Sequence, residues 1–287
     1  MNAQHERSLP RAGRAIPAIA VDRRLARAVV ATLVVGGYMA LGFGFGLGAN
    51  AYLLVGIPIT IAVQLLVVRQ PLRALWLRRA PALEFTWRSI VAVVILSIAP
   101  AIVALGGVRA GDLATVGWGL AAMVGAVGAV YAGRAMDRDA IRSTIRASLI
   151  AGGILVSVMI VYRLATGGFT GNVTAALATS LISLATYLPA VFVMEEVLFR
   201  GQIDPYLHGS TPGPDRATAL YGSALWGIWH LPVAFVTLGA LTIPYLIVVH
   251  VAIGYPLVTS WRRTGNLAAP GIAHAVIDAF RNAVAVL

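Results

Sequence analysis

The chain has 287 residues, of which 59% are hydrophobic and 11% are charged, with a mean hydropathy of +0.84. Soluble domains carry about 25% charged residues, so this composition excludes an ordinary soluble protein and indicates a multi-span membrane protein. All 22 of the lysine and arginine residues are arginine, and the net charge is +11. These arginines lie between apolar runs, which fits membrane topology better than nucleic-acid binding. Cysteine and lysine are absent, which excludes thiol nucleophiles, thiolate metal sites, disulfides and Schiff-base lysines.

A helix needs about 20 apolar residues to cross a bilayer. The sequence therefore predicts an all-α, polytopic transmembrane bundle with nine spans, or eight if one pair is re-entrant. The predicted spans are roughly 28–46, 51–68, 89–108, 113–133, 147–165, 173–199, 217–237, 243–260 and 266–286. Arginines cluster in residues 1–27 and in alternate connections, 69–88 and 134–146 among them, which predicts a cytoplasmic N-terminus.

Glu195 and Glu196 lie side by side in one of the most apolar stretches of the chain and are two of its four glutamates. A central acidic residue costs roughly 2.5–3.5 kcal/mol to insert into a membrane, and such residues usually face a polar interior or water. On a helix, Glu196 and Arg200 are four residues apart in the order that favours an ion pair, which leaves Glu195 free for other work. Pro189 should bend the helix and open room for water. The alternative is an anchor at a helix end.

Two further motifs place histidines on later spans. Trp226 and His230 are one helical turn apart, so the indole can pack on the imidazole. His274 and Asp278 have the same spacing, which lets both side chains hold one ion or one water. Each histidine could also be a packing residue, and Asp278 could simply fix the His274 ring. His250, on the span between them, is expected to pack or form hydrogen bonds.

Glu195, His230, His274 and Asp278 all lie several residues from arginine-marked cytoplasmic ends, so we expect them to meet at similar depth. Such a set matches the ligands of a divalent metal with an open water position. It equally matches a carboxylate–histidine pair that activates water. Asp204 and Asp215 lie in the short cytoplasmic connection after Arg200, where loop roles suffice.

Glu195-Glu196-Val-Leu-Phe-Arg200, Trp226-Gly-Ile-Trp-His230 and His274-Ala-Val-Ile-Asp278 follow one another in this order. Together they resemble the CPBP family of intramembrane proteases, also called the CAAX-protease and bacteriocin-processing or abortive-infection group. The family pattern is Glu-Glu-x-x-x-Arg, Phe-x-x-x-His and His-x-x-x-Asn/Asp. The chain departs from it at Trp226, which stands where phenylalanine is usual. The resemblance covers roughly residues 175–285.

The resemblance implies hydrolysis of a peptide bond near the cytoplasmic membrane face. The arginine-rich, lysine-free composition suggests a bacterium, so a bacterial plasma membrane is expected. The resemblance also implies catalytic roles for Glu195, Glu196, His230 and His274, with Glu195 as the general base on water and Arg200, Trp226 and Asp278 in support. The implied metal set is His230, His274 and Asp278 around a divalent ion, with Zn²⁺ expected. A metal-free form would instead use His274 and Asp278 to stabilise the oxyanion.

This interpretation divides the chain into a cytoplasmic arm (1–27), N-terminal transmembrane helices (28–165) and a CPBP-like catalytic core (173–287). The expected partners are membrane lipids and a peptide or protein substrate presented at the membrane, and no nucleic acid. The competing hypothesis is a non-proteolytic immunity or scaffold protein, or a transporter, whose Glu/His/Asp cluster binds ions or a partner.

Overall fold

The computed structural model describes residues 17–169, 171–209, 215–238 and 241–287. Within these ranges the chain is helical and forms no strand, and its one extended pairing is an isolated antiparallel bridge between Leu77 and Asn266. The predicted all-α class is therefore confirmed.

The helices of the described residues are α1 (Pro17–Gly44), α2 (Ala49–Ala62), α3 (Trp87–Ala110), α4 (Leu113–Arg134), α5 (Arg138–Thr166), α6 (Val173–Ala190), α7 (Asp204–His208), α8 (Arg216–Trp229), α9 (Leu231–Leu238), α10 (Thr242–Thr264) and α11 (Ala268–Val286). A π-helical segment, Val63–Val68, continues α2, and a second, Val197–Ile203, leads into α7. A short 3₁₀ helix spans Leu72–Leu75.

Seven helices in the described part of the chain are long and apolar enough to cross a membrane. They comprise α1 from Arg23, α2 with its π-helical extension, α3, α4, α5, α6 and α10. The predicted spans 217–237 and 266–286 are helical but are not among these seven helices. The first is divided at His230 into α8 and α9, next to Pro232, which has no N–H to donate. The second forms α11, whose apolar pattern is interrupted by the polar residues of the site.

Large apolar side chains are exposed along the outer helices, as Ile95, Ile98 and Ile102 are on α3 and Leu181 and Ile182 on α6. A soluble protein rarely leaves so continuous an apolar surface in water. Lipid-facing helices present such a surface normally. The chain is therefore a multi-pass integral membrane protein.

α1 begins at Pro17, so the end of the predicted arm, residues 1–27, is helical. This part of the arm is helical because no strong helix breaker follows Pro17 before the apolar run begins. Residues 1–16, which make up the rest of the arm, lie outside the described residues.

The predicted span 173–199 is interrupted. α6 ends at Ala190, one residue after Pro189, and residues 191–194 form turns before helix resumes at Glu195. The bend expected at Pro189 is present, because proline cannot donate to the helical ladder. Glu195 and Glu196 consequently lie at the first turn of a new, buried helical segment, not in the middle of a continuous span.

Helices α8 and α10 approach closely at two glycines. A methyl group at Gly227 would overlap the carbonyl group of Leu246 and lie 3.0 Å from Cβ of His250. A methyl group at Gly254 would lie 2.8 Å from Oγ of Ser223 and 3.3 Å from the indole of Trp226. Small residues at a helix interface permit this kind of backbone approach in membranes. The two glycines therefore bring His250 against Trp226.

Gly227→Ala is expected to lower stability by about 1–3 kcal/mol, because the added methyl group overpacks the α8–α10 contact. Gly153→Ala on α5 is the matched control, since a methyl group there would meet nothing within 4 Å. Alanine in an unobstructed helix position should be neutral or stabilising by up to about 1 kcal/mol. Thermal unfolding in detergent measures both. A Gly227→Ala protein as stable as the control variant would contradict the close approach.

Candidate active site

The motif side chains gather around the indole of Trp226, which is 2% exposed. Arg200 lies over the ring face, with Cζ 4.0 Å from the ring centroid. The imidazoles of His230, His250 and His274 surround the indole at ring-centroid distances of 5.8, 4.6 and 5.2 Å. The expectation that three separate helices bring these residues together is met in the structure.

Glu195 and His230 form one pair of this cluster. Oε2 of Glu195 lies 3.6 Å from Nε2 of His230 and accepts a hydrogen bond of 3.0 Å from Nε1 of Trp226. The side chains are 18% and 22% exposed, in contrast to the buried residues around them. This pair is therefore the part of the cluster that solvent can reach.

The orientation of His230 follows from its second nitrogen. Nδ1 lies 2.8 Å from the carbonyl oxygen of Trp226, which can only accept, so Nδ1 carries the hydrogen. In the neutral ring, Nε2 then has a free lone pair directed at Glu195. A water molecule beside the two atoms can then donate a hydrogen bond to each of them.

Glu196 and Arg200 form the predicted ion pair. Nη1 of Arg200 lies 3.0 Å from Oε1 of Glu196, and the two side chains are 1% and 0% exposed. The same carboxylate oxygen accepts from Nδ1 of His274 at 2.8 Å. Both glutamates are thus engaged differently: Glu196 joins Arg200 to α11 inside the protein, whereas Glu195 faces the accessible histidine.

His274 is held at both of its nitrogens. Nε2 lies 3.5 Å from Oδ2 of Asp278, in addition to the bond from Nδ1 to Glu196. Asp278 in turn pairs through Oδ1 with Nη1 of Arg281 at 3.0 Å. The predicted contact between His274 and Asp278 is therefore present. It belongs to a series in which basic and acidic side chains alternate: Arg200, Glu196, His274, Asp278 and Arg281.

The predicted metal set of His230, His274 and Asp278 is not gathered in this arrangement. Among the described residues, no three histidine, aspartate or glutamate side chains are grouped to hold a metal ion. A catalytic zinc centre needs three protein ligands and an open position. Here Nε2 of His230 faces Glu195, while His274 lies between the carboxylates of Glu196 and Asp278. The residues in these positions therefore do not fit a metal centre.

His250 is a member of the cluster whose role the sequence left open. Nδ1 donates to the carbonyl oxygen of Leu246 at 2.8 Å, and the ring lies 4.4 Å from that of His230 and 4.6 Å from that of Trp226. The signal in the sequence was the glycine four residues later, Gly254, which allows this approach.

Asp204 has a larger role than the loop position predicted for it. It is 2% exposed and accepts from Nε of Arg262 at both carboxylate oxygens, at 3.0 and 3.1 Å. Arg262 also donates to Oγ1 of Thr218 at 2.9 Å. Burial raises the pKa of Asp204, and the guanidinium of Arg262 opposes that rise. This group ties α7, α8 and α10 together at the arginine-rich end of the site.

Residues 177–280, just over a third of the chain, match the family model described as type II CAAX prenyl endopeptidase Rce1-like. The matched range contains all three motifs and every residue of the cluster described above except Arg281. Neither the curated proteins nor the solved structures contain a significant match to this chain. Over residues 177–280 the chain is therefore similar to an Rce1-like type II CAAX prenyl endopeptidase domain, which is consistent with the CPBP resemblance of the three motifs.

Proposed function

We propose that this protein is an intramembrane endopeptidase in which Glu195 and His230 activate a water molecule for attack on a peptide bond. One observation carries the proposal: two acceptor atoms, Oε2 of Glu195 and Nε2 of His230, face each other at 3.6 Å in the accessible part of an otherwise buried site. A water molecule supplies the hydrogens that such a pair requires. The family match supports peptide hydrolysis as the chemistry.

In the proposed reaction, Glu195 accepts a proton from water as the water oxygen bonds to the carbonyl carbon of the substrate. The carbonyl electron pair moves to its oxygen. When that pair returns, the C–N bond breaks, and the proton held by Glu195 passes to the leaving nitrogen. The products are a carboxylic acid and an amine. General base catalysis of this kind contributes typically 10²–10⁴-fold in rate.

Glu196, His274 and Asp278 act around this pair. Glu196 is 0% exposed and already binds Arg200 and His274, so it serves to hold the second histidine and not to reach water. His274 is assigned to the developing oxyanion, as in the metal-free form of the predicted mechanism, and Asp278, which as a carboxylate can only accept, orients the imidazole. A donor aimed at such an oxygen is worth about 10²–10³ in turnover.

The proposed substrate is a peptide segment presented at the cytoplasmic membrane face of a bacterial plasma membrane, with the N-terminus of the enzyme also in the cytoplasm. The division into an arm (1–27), N-terminal helices (28–165) and a catalytic core (173–287) belongs to this proposal.

The proposal is tested with purified protein in liposomes and a pool of apolar peptides ending in a Cys-a-a-X sequence, each supplied with and without a farnesyl group. Mass spectrometry in H₂¹⁸O should find one ¹⁸O atom in each new carboxyl terminus, which marks attack by water. Cleavage confined to the farnesylated peptides would define the substrate more narrowly. If no member of either pool is cut, while ions or a partner protein bind, the immunity, scaffold or transporter hypothesis takes its place.

Turnover is expected to survive treatment with 1,10-phenanthroline or EDTA within about twofold, because the described donors form pairs and not a three-ligand set. The measurement compares initial rates before and after chelation, with metal content determined on the same sample. Loss of activity that a single divalent ion restores would instead support the predicted Zn²⁺ centre and the ligand set of His230, His274 and Asp278.

A further inference from the structure

Trp226 binds both members of the water-activating pair. Its indole Nε1 donates to Oε2 of Glu195 at 3.0 Å. Its backbone carbonyl accepts from Nδ1 of His230 at 2.8 Å. Any residue at this position could form the backbone contact with His230, whereas the contact with Glu195 needs a side-chain N–H. The side chain therefore adds a bond to the general base that the family's usual phenylalanine cannot form.

The indole is held firmly enough to fix the carboxylate. The guanidinium of Arg200 lies over its ring at 4.0 Å, and the imidazole of His250 contacts it at a centroid distance of 4.6 Å with the two planes inclined by 87°. Gly254 lets α10 close against the same ring. A donor that is immobilised in this way spends no energy on reorganisation during the reaction.

We propose that Trp226 is a positioning residue, whose indole N–H fixes Oε2 of Glu195 opposite Nε2 of His230, where the attacking water binds. This inference rests on the proposed function, because it assigns a role within that reaction. A hydrogen bond between a neutral donor and a charged acceptor also has a defined direction, so its loss allows the carboxylate to rotate. Small misplacements of a reacting group can lower turnover by as much as about 10²-fold.

Trp226→Phe isolates the indole contact, because it keeps an aromatic face for Arg200 and the backbone bond to His230 while removing the N–H. It introduces the family's usual residue, so the fold should tolerate it. Turnover is expected to fall about tenfold to a hundredfold, with KM within about twofold, since substrate does not touch the indole N–H. Trp261→Phe is the matched control: its indole is 1% exposed, and Nε1 finds no hydrogen-bond partner among the described residues.

A second measurement detects the bond without relying on activity. The chain has six tryptophans, and the indole N–H resonance of Trp226 in a ¹⁵N-labelled sample is identified by its loss in Trp226→Phe. In Glu195→Ala that resonance should move further than any of the other five, and in Glu84→Ala it should stay in place. Glu84 lies in the exposed connection before α3.

Two outcomes would overturn the inference. One is a Trp226→Phe enzyme with the turnover number of Trp261→Phe, and the other is an indole resonance that Glu195→Ala leaves unmoved. Failure of the proposed function gives a different result, namely a wild-type protein that cuts no peptide but still shows the resonance shift. In that case Trp226 still binds Glu195 and the catalytic role is lost.

Discussion

Glu195→Gln is expected to reduce turnover by about 10²–10⁴-fold while the protein folds as the wild type does. The glutamine amide has nearly the shape of the carboxylate, and its oxygen can still accept from Nε1 of Trp226. It cannot take a proton from water at neutral pH. Arg200 keeps Glu196 as its ion-pair partner at 3.0 Å, so the substitution does not leave that buried guanidinium uncompensated.

Initial rates of peptide cleavage in liposomes measure this effect, and thermal unfolding in detergent verifies the fold. Glu84→Gln serves as the control, since it removes one carboxylate from an exposed connection and should cut at the wild-type rate. A Glu195→Gln enzyme that retains more than about a tenth of wild-type turnover would remove Glu195 from the role of general base.

The assignment of the two adjacent glutamates could be predicted because it depends on local geometry. An i,i+4 relation places Glu196 beside Arg200 whatever the surrounding bundle does, and the ion pair is present at 3.0 Å. That pairing leaves Glu195, about 100° round the helix, free for another contact. In the structure Glu195 faces His230. The same reasoning predicted the contact of His274 with Asp278.

The relation between different helices could not be predicted in the same way. The sequence placed His230, His274 and Asp278 at similar depth, but depth does not determine which faces meet. In the structure both imidazoles contact the indole of Trp226, but His230 faces Glu195, whereas His274 lies between Glu196 and Asp278. A three-ligand metal site can be predicted only if the helix faces that meet are known. The Glu196–Arg200 and His274–Asp278 pairs each lie within one helical segment and do not require that knowledge.

One of the two helix interruptions was predicted and the other was not, for a similar reason. Pro189 indicates a bend, and α6 ends one residue later. The division of the 217–237 segment at His230 was not predicted, although Pro232 stands beside it. Apolar content alone cannot tell a continuous span from two helices that meet at a turn, because both bury the same residues in the bundle.

Glu196→Ala should have the largest effect on stability, with an expected loss of about 3–5 kcal/mol. Arg200 is 1% exposed, and Glu196 is its ion-pair partner at 3.0 Å, so the substitution leaves a buried guanidinium without that compensation. His274 loses the acceptor at its Nδ1 in the same step. Activity should disappear even below the unfolding temperature, because the second histidine is no longer held.

The double variant Glu196→Leu with Arg200→Met separates these two causes. Replacing a buried ion pair by apolar side chains of similar volume is often neutral, so the double variant should recover much of the stability lost in Glu196→Ala. It should not recover activity, because His274 still lacks its partner.

Asp139→Ala controls for charge removal at the surface: Asp139 is 61% exposed and pairs with Arg142 at 3.7 Å. Exposed pairs contribute only about 0–1 kcal/mol. Unfolding of all three proteins in the same detergent distinguishes the cases, and equal stability of Glu196→Ala and Asp139→Ala would mean that the Glu196–Arg200 pair is not buried as described.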